Sequence, residues 1–128
     1  MKREAILQVK KEDEVRRLQQ EAEAADCLCV AMDGSRMQDK KGIMEEFAQR
    51  IPLPEHFGRN WDALEECLTD PDVLGAKGCY LIIGRAELLG KRSPMEREAL
   101  LSLLADVAEH WGRRKPPVVF HAALVTGG

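Results

Sequence analysis

Asp62, Glu65 and Glu66 are the residues whose types and spacing invite a chemical reading. On a helix, positions 62, 65, 66 and 69 share one face, so three carboxylates stand together with Thr69. Like charges at this spacing repel and cost helix stability unless a cation offsets them. The flanking residues add to the charge. From Pro54 to Asp72 there are six acids (Glu55, Asp62, Glu65, Glu66, Asp70 and Asp72) and one base, Arg59, a net of −5 against −3 for the whole chain. The acidity is concentrated here.

Three chemistries use grouped carboxylates. Acid–base hydrolysis needs a cleft that excludes water and drives the two pKa values apart, which the convex face of a helix does not supply. Firm binding of a divalent cation needs a compact loop of oxygen ligands, and none is present. The third is to meet a cationic surface on another macromolecule. The expectation is therefore no enzyme, no catalytic residue, no metal and no cofactor.

The run Leu53-Pro54-Glu55-His56-Phe57-Gly58-Arg59-Asn60-Trp61-Asp62-Ala63-Leu64-Glu65-Glu66-Cys67-Leu68-Thr69 resembles the barstar family of ribonuclease inhibitors. The matching positions are Leu53, Pro54, His56, Phe57, Gly58, Asn60, Asp62, Ala63, Leu64, Glu66, Cys67, Leu68 and Thr69. Weaker similarity runs from about Asp26 to the C-terminus. Residues 1–25 look like the N-terminal region of longer barstar-like proteins. The resemblance implies a partner surface in which Asp62 and Glu66 enter a phosphate-binding site and pair with its basic groups. Asp106 is the match for a further family acid on the last helix, and His56 stands where the binding loop carries an aromatic. Three positions depart: the family's helix tryptophan matches Glu65, a loop acid matches Arg59, and a tryptophan after the helix matches Pro71.

The resemblance thus predicts a partner-binding set of Asp62, Glu66, Glu65, His56, Arg59, Asn60 and Asp106. Its partner would be a basic protein, a ribonuclease or a related basic toxin, blocked inside the cell. Carboxylates on a stiff helix imitate phosphates without offering a bond to cleave. The competing reading is a barstar-like interaction module that binds a basic protein and inhibits nothing.

The elements that must position these residues follow from periodicity. Ala5–Val9 is a short apolar run, a first strand. Glu12–Ala25 reads as a helix with a narrow stripe of Val15, Leu18, Ala22 and Ala25. Cys27–Met32 is a continuous apolar run, as in a buried strand. Asp39 caps a helix over Lys40–Arg50, with Ile43, Met44, Phe47 and Ala48 inward, and Pro52 and Pro54 stop it. Asn60 caps the acidic helix, Trp61–Leu68, whose inner side is Leu64, Cys67 and Leu68. Thr69–Gly78 is a connection and Cys79–Gly84 a second buried strand. Ser93 followed by Pro94 starts a helix that runs to Trp111, and Val118–Leu124 is the last strand. Alternating strands and helices argue for a parallel sheet. The expected fold is α/β and barstar-like: three core parallel strands, an extra N-terminal strand, and packed helices, in one domain over 1–128 with 1–25 as an extension and 26–128 as the core.

Composition bounds the rest. A chain of 128 residues with 45% hydrophobic and 32% charged content suits one soluble domain without staples. The mildly acidic balance disfavours nucleic acid as a partner. No stretch has the length of a membrane span, and the N-terminus lacks the features of a signal peptide. Cys27, Cys29, Cys67 and Cys79 form no CxxC pair and have no histidine at ligand spacing, so they read as buried free thiols of a cytoplasmic protein. The free protein is expected to be a monomer.

Overall fold

The computed structural model describes residues 6–9, 12–74 and 77–126. Four strands, β1 (Ile6–Val9), β2 (Leu28–Asp33), β3 (Cys79–Gly84) and β4 (Phe120–Val125), form one sheet in the order β1-β4-β3-β2. Every neighbouring pair is parallel, with Leu81 opposite both Val30 and Ala122. The α/β expectation therefore holds, and the extra N-terminal strand takes the edge beside β4. Ala5, expected in that strand, lies outside the described residues.

Helices cross between the strands: α1 (Glu12–Ala24), α2 (Lys40–Arg50), α3 (Trp61–Leu68), a single turn α4 (Pro71–Leu74) and α5 (Pro94–Gly112). The main core lies between one face of the sheet and α2, α3 and α5. Leu81, Ile83 and Leu124 meet Phe47, Leu64, Leu68, Leu100, Leu104 and Trp111 there, all at 1% exposure or less. A smaller cluster of Val9, Ile82 and Ala123 fills the opposite face, with Val15 and Leu18 of α1 packed on it. β3 sits between two partners and is buried on both faces up to Ile83, so its run of apolar residues needs no alternation.

Several local expectations are corrected. β2 begins at Leu28, after Cys27, and lies at the sheet edge with Leu28, Cys29 and Ala31 exposed. It is buried on one face only, through Val30 and Met32. Ala25 lies beyond the end of α1 and is exposed, so the α1 stripe ends at Ala22. The connection after α3 contains α4, whose Asp72 amide donates to Oδ1 of Asp70 at 2.8 Å. Ser93 opens α5 without a side-chain cap, and Pro94 at the first position does the work instead. All four cysteines are free, but only Cys79 is fully buried, and burial pushes its thiol up to about 12. Cys27 and Cys67 are half-buried and Cys29 is exposed.

Two polar contacts stitch helices to the frame. Glu46 is 1% exposed, and its Oε2 accepts from the Asp33 amide at 2.8 Å and from Nε of Arg50 at 3.2 Å. It takes up an amide at the end of β2. The chain then passes Gly34, where a Cβ would stand 2.3 Å from the Arg85 carbonyl, so only glycine fits. The second contact is buried. The indole N–H of Trp111 donates to the Leu68 carbonyl at 2.8 Å, one of the helix-terminal carbonyls that have no intrahelical donor. Replacing Trp111 by phenylalanine keeps an aromatic ring and removes the donor. A buried carbonyl left unpaired costs about 1–3 kcal/mol, and the smaller ring adds a cavity cost, so urea denaturation of Trp111→Phe should show a loss of at least that size with an unchanged m-value. Stability equal to the parent would mean that the bond does not hold α3 to α5.

Candidate functional site

The loop before α3 is built to aim that helix. Pro52 and Pro54 follow α2, Ile51 is 2% exposed, and the Phe57 amide donates to the Pro54 carbonyl at 2.9 Å in a tight turn. Phe57, 7% exposed, drives into the core and leaves His56 and Gly58 outside. Arg59 takes the left-handed region at φ 52°, uncommon for a side chain other than glycine, asparagine or aspartate. It turns the chain into Asn60, whose Oδ1 accepts from the Ala63 amide at 2.8 Å as the helix cap.

From that cap, α3 presents two unlike faces. Leu64 and Leu68 are fully buried, and Trp61, Ala63 and Cys67 pack partly against the core. Asp62, Glu65 and Glu66 are exposed, and Thr69 closes the helix by donating its hydroxyl to the Glu65 carbonyl at 2.8 Å. Asp62 lies in the first turn, where the helix dipole favours an anion. Glu65 and Glu66 sit toward the other end, which has no base in its last turn, so dipole and mutual repulsion both oppose them. None of the three acids forms an ion pair among the described residues. Their charge also touches the thiol behind them: Cys67 is pushed up by burial first, then by Asp70 and Glu66.

The structure brings some of the expected residues together and separates others. Glu65 and Asp106 line one cleft of about 510 Å³ between α3 and the end of α5, together with Glu109, His110, Arg113 and Arg114. Asp62 and Glu66 share the exposed face of α3 but do not line that cleft. Arg59 turns away toward α2, where its Nε donates to Oε1 of Glu45 at 2.8 Å. Asn60 spends its side-chain oxygen on the cap, and His56 is exposed in the loop.

The far wall of the cleft was not visible in the sequence. Glu109 pairs with Arg113, and the Arg114 guanidinium stacks over the Trp111 ring at 5.1 Å. The recurrence of Asp106, Glu109 and Arg113 at helical spacing was the available signal. Which face of α5 meets α3 depends on Trp111, and that is a tertiary fact. Among the described residues no group of three or more His, Cys, Asp and Glu is placed to hold a metal ion. Among them, too, no helix is long and apolar enough to cross a membrane.

Fold and site together define a small parallel α/β protein that exposes a carboxylate-bearing helix on an apolar support. The model of the barstar family, described as Barstar (barnase inhibitor), matches residues 27–123, and the chain belongs to that family. No curated protein matches the chain in sequence.

The cap is the most separable part of the site. Asn60→Ala removes the acceptor that opens α3 and should lower stability by about 1 kcal/mol, whereas Asn60→Asp should preserve it. Thermal denaturation of the two variants checks this. Equal losses in both would show that the side-chain oxygen is not the capping group.

Proposed function

We propose that this protein inhibits a ribonuclease or a related basic toxin by placing the acidic face of α3 in a cationic active site. The observation that carries the reading is the exposed set Asp62, Glu65 and Glu66, without ion pairs among the described residues, on a helix whose other side is locked into the core. Membership of the barstar family supports it, since the family's description names an inhibitor of barnase. The role is binding, with no chemistry asked of the chain.

The physics is electrostatic substitution. A ribonuclease site holds cations that bind phosphate and stabilise developing negative charge. Carboxylates fixed on α3 occupy that field and offer no scissile bond. Asp62 and Glu66, one turn apart, form the leading pair, and Glu65 with Asp106 forms a flank across the cleft. His56 and Asn60 border α3 from the loop. Such an inhibitor acts where its toxin is made, in the cytoplasm and as a monomer; residues 26–128 carry its partner surface, while β1 and α1 complete the sheet and cover its other face. Complementary fields speed encounter, and desolvated charge pairs slow dissociation.

The test is inhibition of RNA hydrolysis by purified bacterial ribonucleases, barnase first, followed by calorimetry on the enzyme bound best. Asp62→Ala and Glu66→Ala should each weaken binding by about 2 kcal/mol or more, as removal of a buried interface charge does. Both side chains are exposed in the free protein, so denaturation midpoints should stay near the parent's. Undiminished affinity in both variants, or no inhibition of any ribonuclease, would contradict the proposal and favour a module that binds a basic protein through another face.

A further inference from the structure

Beside the acidic helix the surface changes sign. α2 opens with Lys40 and Lys41 and carries no acid in its first turn. A helix dipole disfavours cations there, so by that effect these lysines cost stability. Both are exposed, and neither forms an ion pair among the described residues. Arg59 joins them from the other side. Its contact with Glu45 swings the guanidinium over α2, and Lys40, Lys41, Met44, Glu45 and Arg59 enclose a depression of about 390 Å³. Three cations against one carboxylate leave a net +2 in this depression.

The Arg59–Glu45 pair alone does not account for the arrangement. Arg59 keeps 51% of its side chain exposed and Glu45 keeps 44%, and pairs this open contribute little to stability. Among the described residues the pair engages only Nε, which leaves the outer guanidinium nitrogens for another acceptor. Arg59 also immediately precedes the cap of α3, so this positive patch and the acidic face start from the same turn.

We propose that the partner-facing surface is bipolar: the acids of α3 meet the partner's cationic site, while Arg59, with Lys40 and Lys41, meets a carboxylate on the rim of that site and thereby selects the partner. This rests on the inhibitor reading above and adds the chemistry of the rim. A basic enzyme whose rim is also basic is repelled by Arg59, and one with an acidic rim gains a desolvated pair. Discrimination of this kind needs a repulsive element as well as an attractive one.

The experiment uses barnase and a set of other purified basic bacterial ribonucleases as probes. On the enzyme bound best by the parent, Arg59→Glu should weaken binding at least tenfold, and Arg59→Ala should fall between. Lys40→Glu combined with Lys41→Glu should weaken binding in the same direction. That pair of changes suits the helix dipole but sets like charge beside Asp39 and one turn before Glu45, so a denaturation midpoint near the parent's is required of the variant before its binding is read. Converting the rim acids of the enzyme singly to lysine should then find one change that restores binding to Arg59→Glu. If Asp62→Ala weakens binding while Arg59→Glu and the lysine variant do not, the bipolar surface is wrong and the inhibitor reading stands. If Asp62→Ala and Glu66→Ala are also without effect, or no enzyme is bound, both are overturned.

Discussion

The hydrogen bond from Trp111 to the Leu68 carbonyl is the contact on which the acidic surface depends. It joins the end of α3 to the end of α5 across 43 residues of sequence, in a fully buried setting. A polar bond made away from water is worth little net when formed and costs much when broken, so it acts as a constraint on geometry. It sets which face of α5 looks at α3, and so puts Asp106 across from Glu65. The Arg114 guanidinium over the same indole closes the outer end of that cleft.

Magnitudes explain how the chain tolerates so much like charge on eight residues of helix. Each like-charge neighbour pair on α3 costs roughly 0.2–0.5 kcal/mol. Burying Leu64 or Leu68 contributes about 1.5–3 kcal/mol each. The apolar side therefore wins, and the acids are held at fixed spacing by a support they do not help to stabilise. A partner that supplies cations relieves the repulsion, and that relief is free energy available to binding. The same reasoning applies to Lys40 and Lys41, which stand against a helix dipole on a helix anchored by Phe47 and the buried Glu46.

Much of this was legible in the residues. Periodicity located the helices and strands, Asn60 and Asp39 are the caps their positions announced, and Leu64 with Leu68 faces inward. What escaped depends on tertiary position. Cys29 and Ala31 belong to an apolar run, yet they are exposed because they point to the face of β2 opposite Val30 and Met32, where the smaller cluster does not reach. Nothing in the residues marks Glu46 for burial, and it is buried because an amide at the end of β2 needs an acceptor. α4 is a single turn, too short for a periodic signal, and the local cue was Asp70 before Pro71. Of the expected site, the face shared by Asp62, Glu65 and Glu66 followed from helical spacing alone. The cleft with Glu109 and Arg113 did not, since it is made by the meeting of two helices.

The central claim is that charge on α3 drives recognition of a cationic site, and its most direct test is the association rate with the ribonuclease that binds best, as a function of salt. Screening acts over about 8 Å at physiological ionic strength, so it weakens long-range steering far more than buried pairs in contact. Stopped-flow measurements should show association slowing by roughly tenfold or more between low and high salt, with dissociation changing much less. An association rate that stays flat with salt would contradict the account, even if the complex still formed.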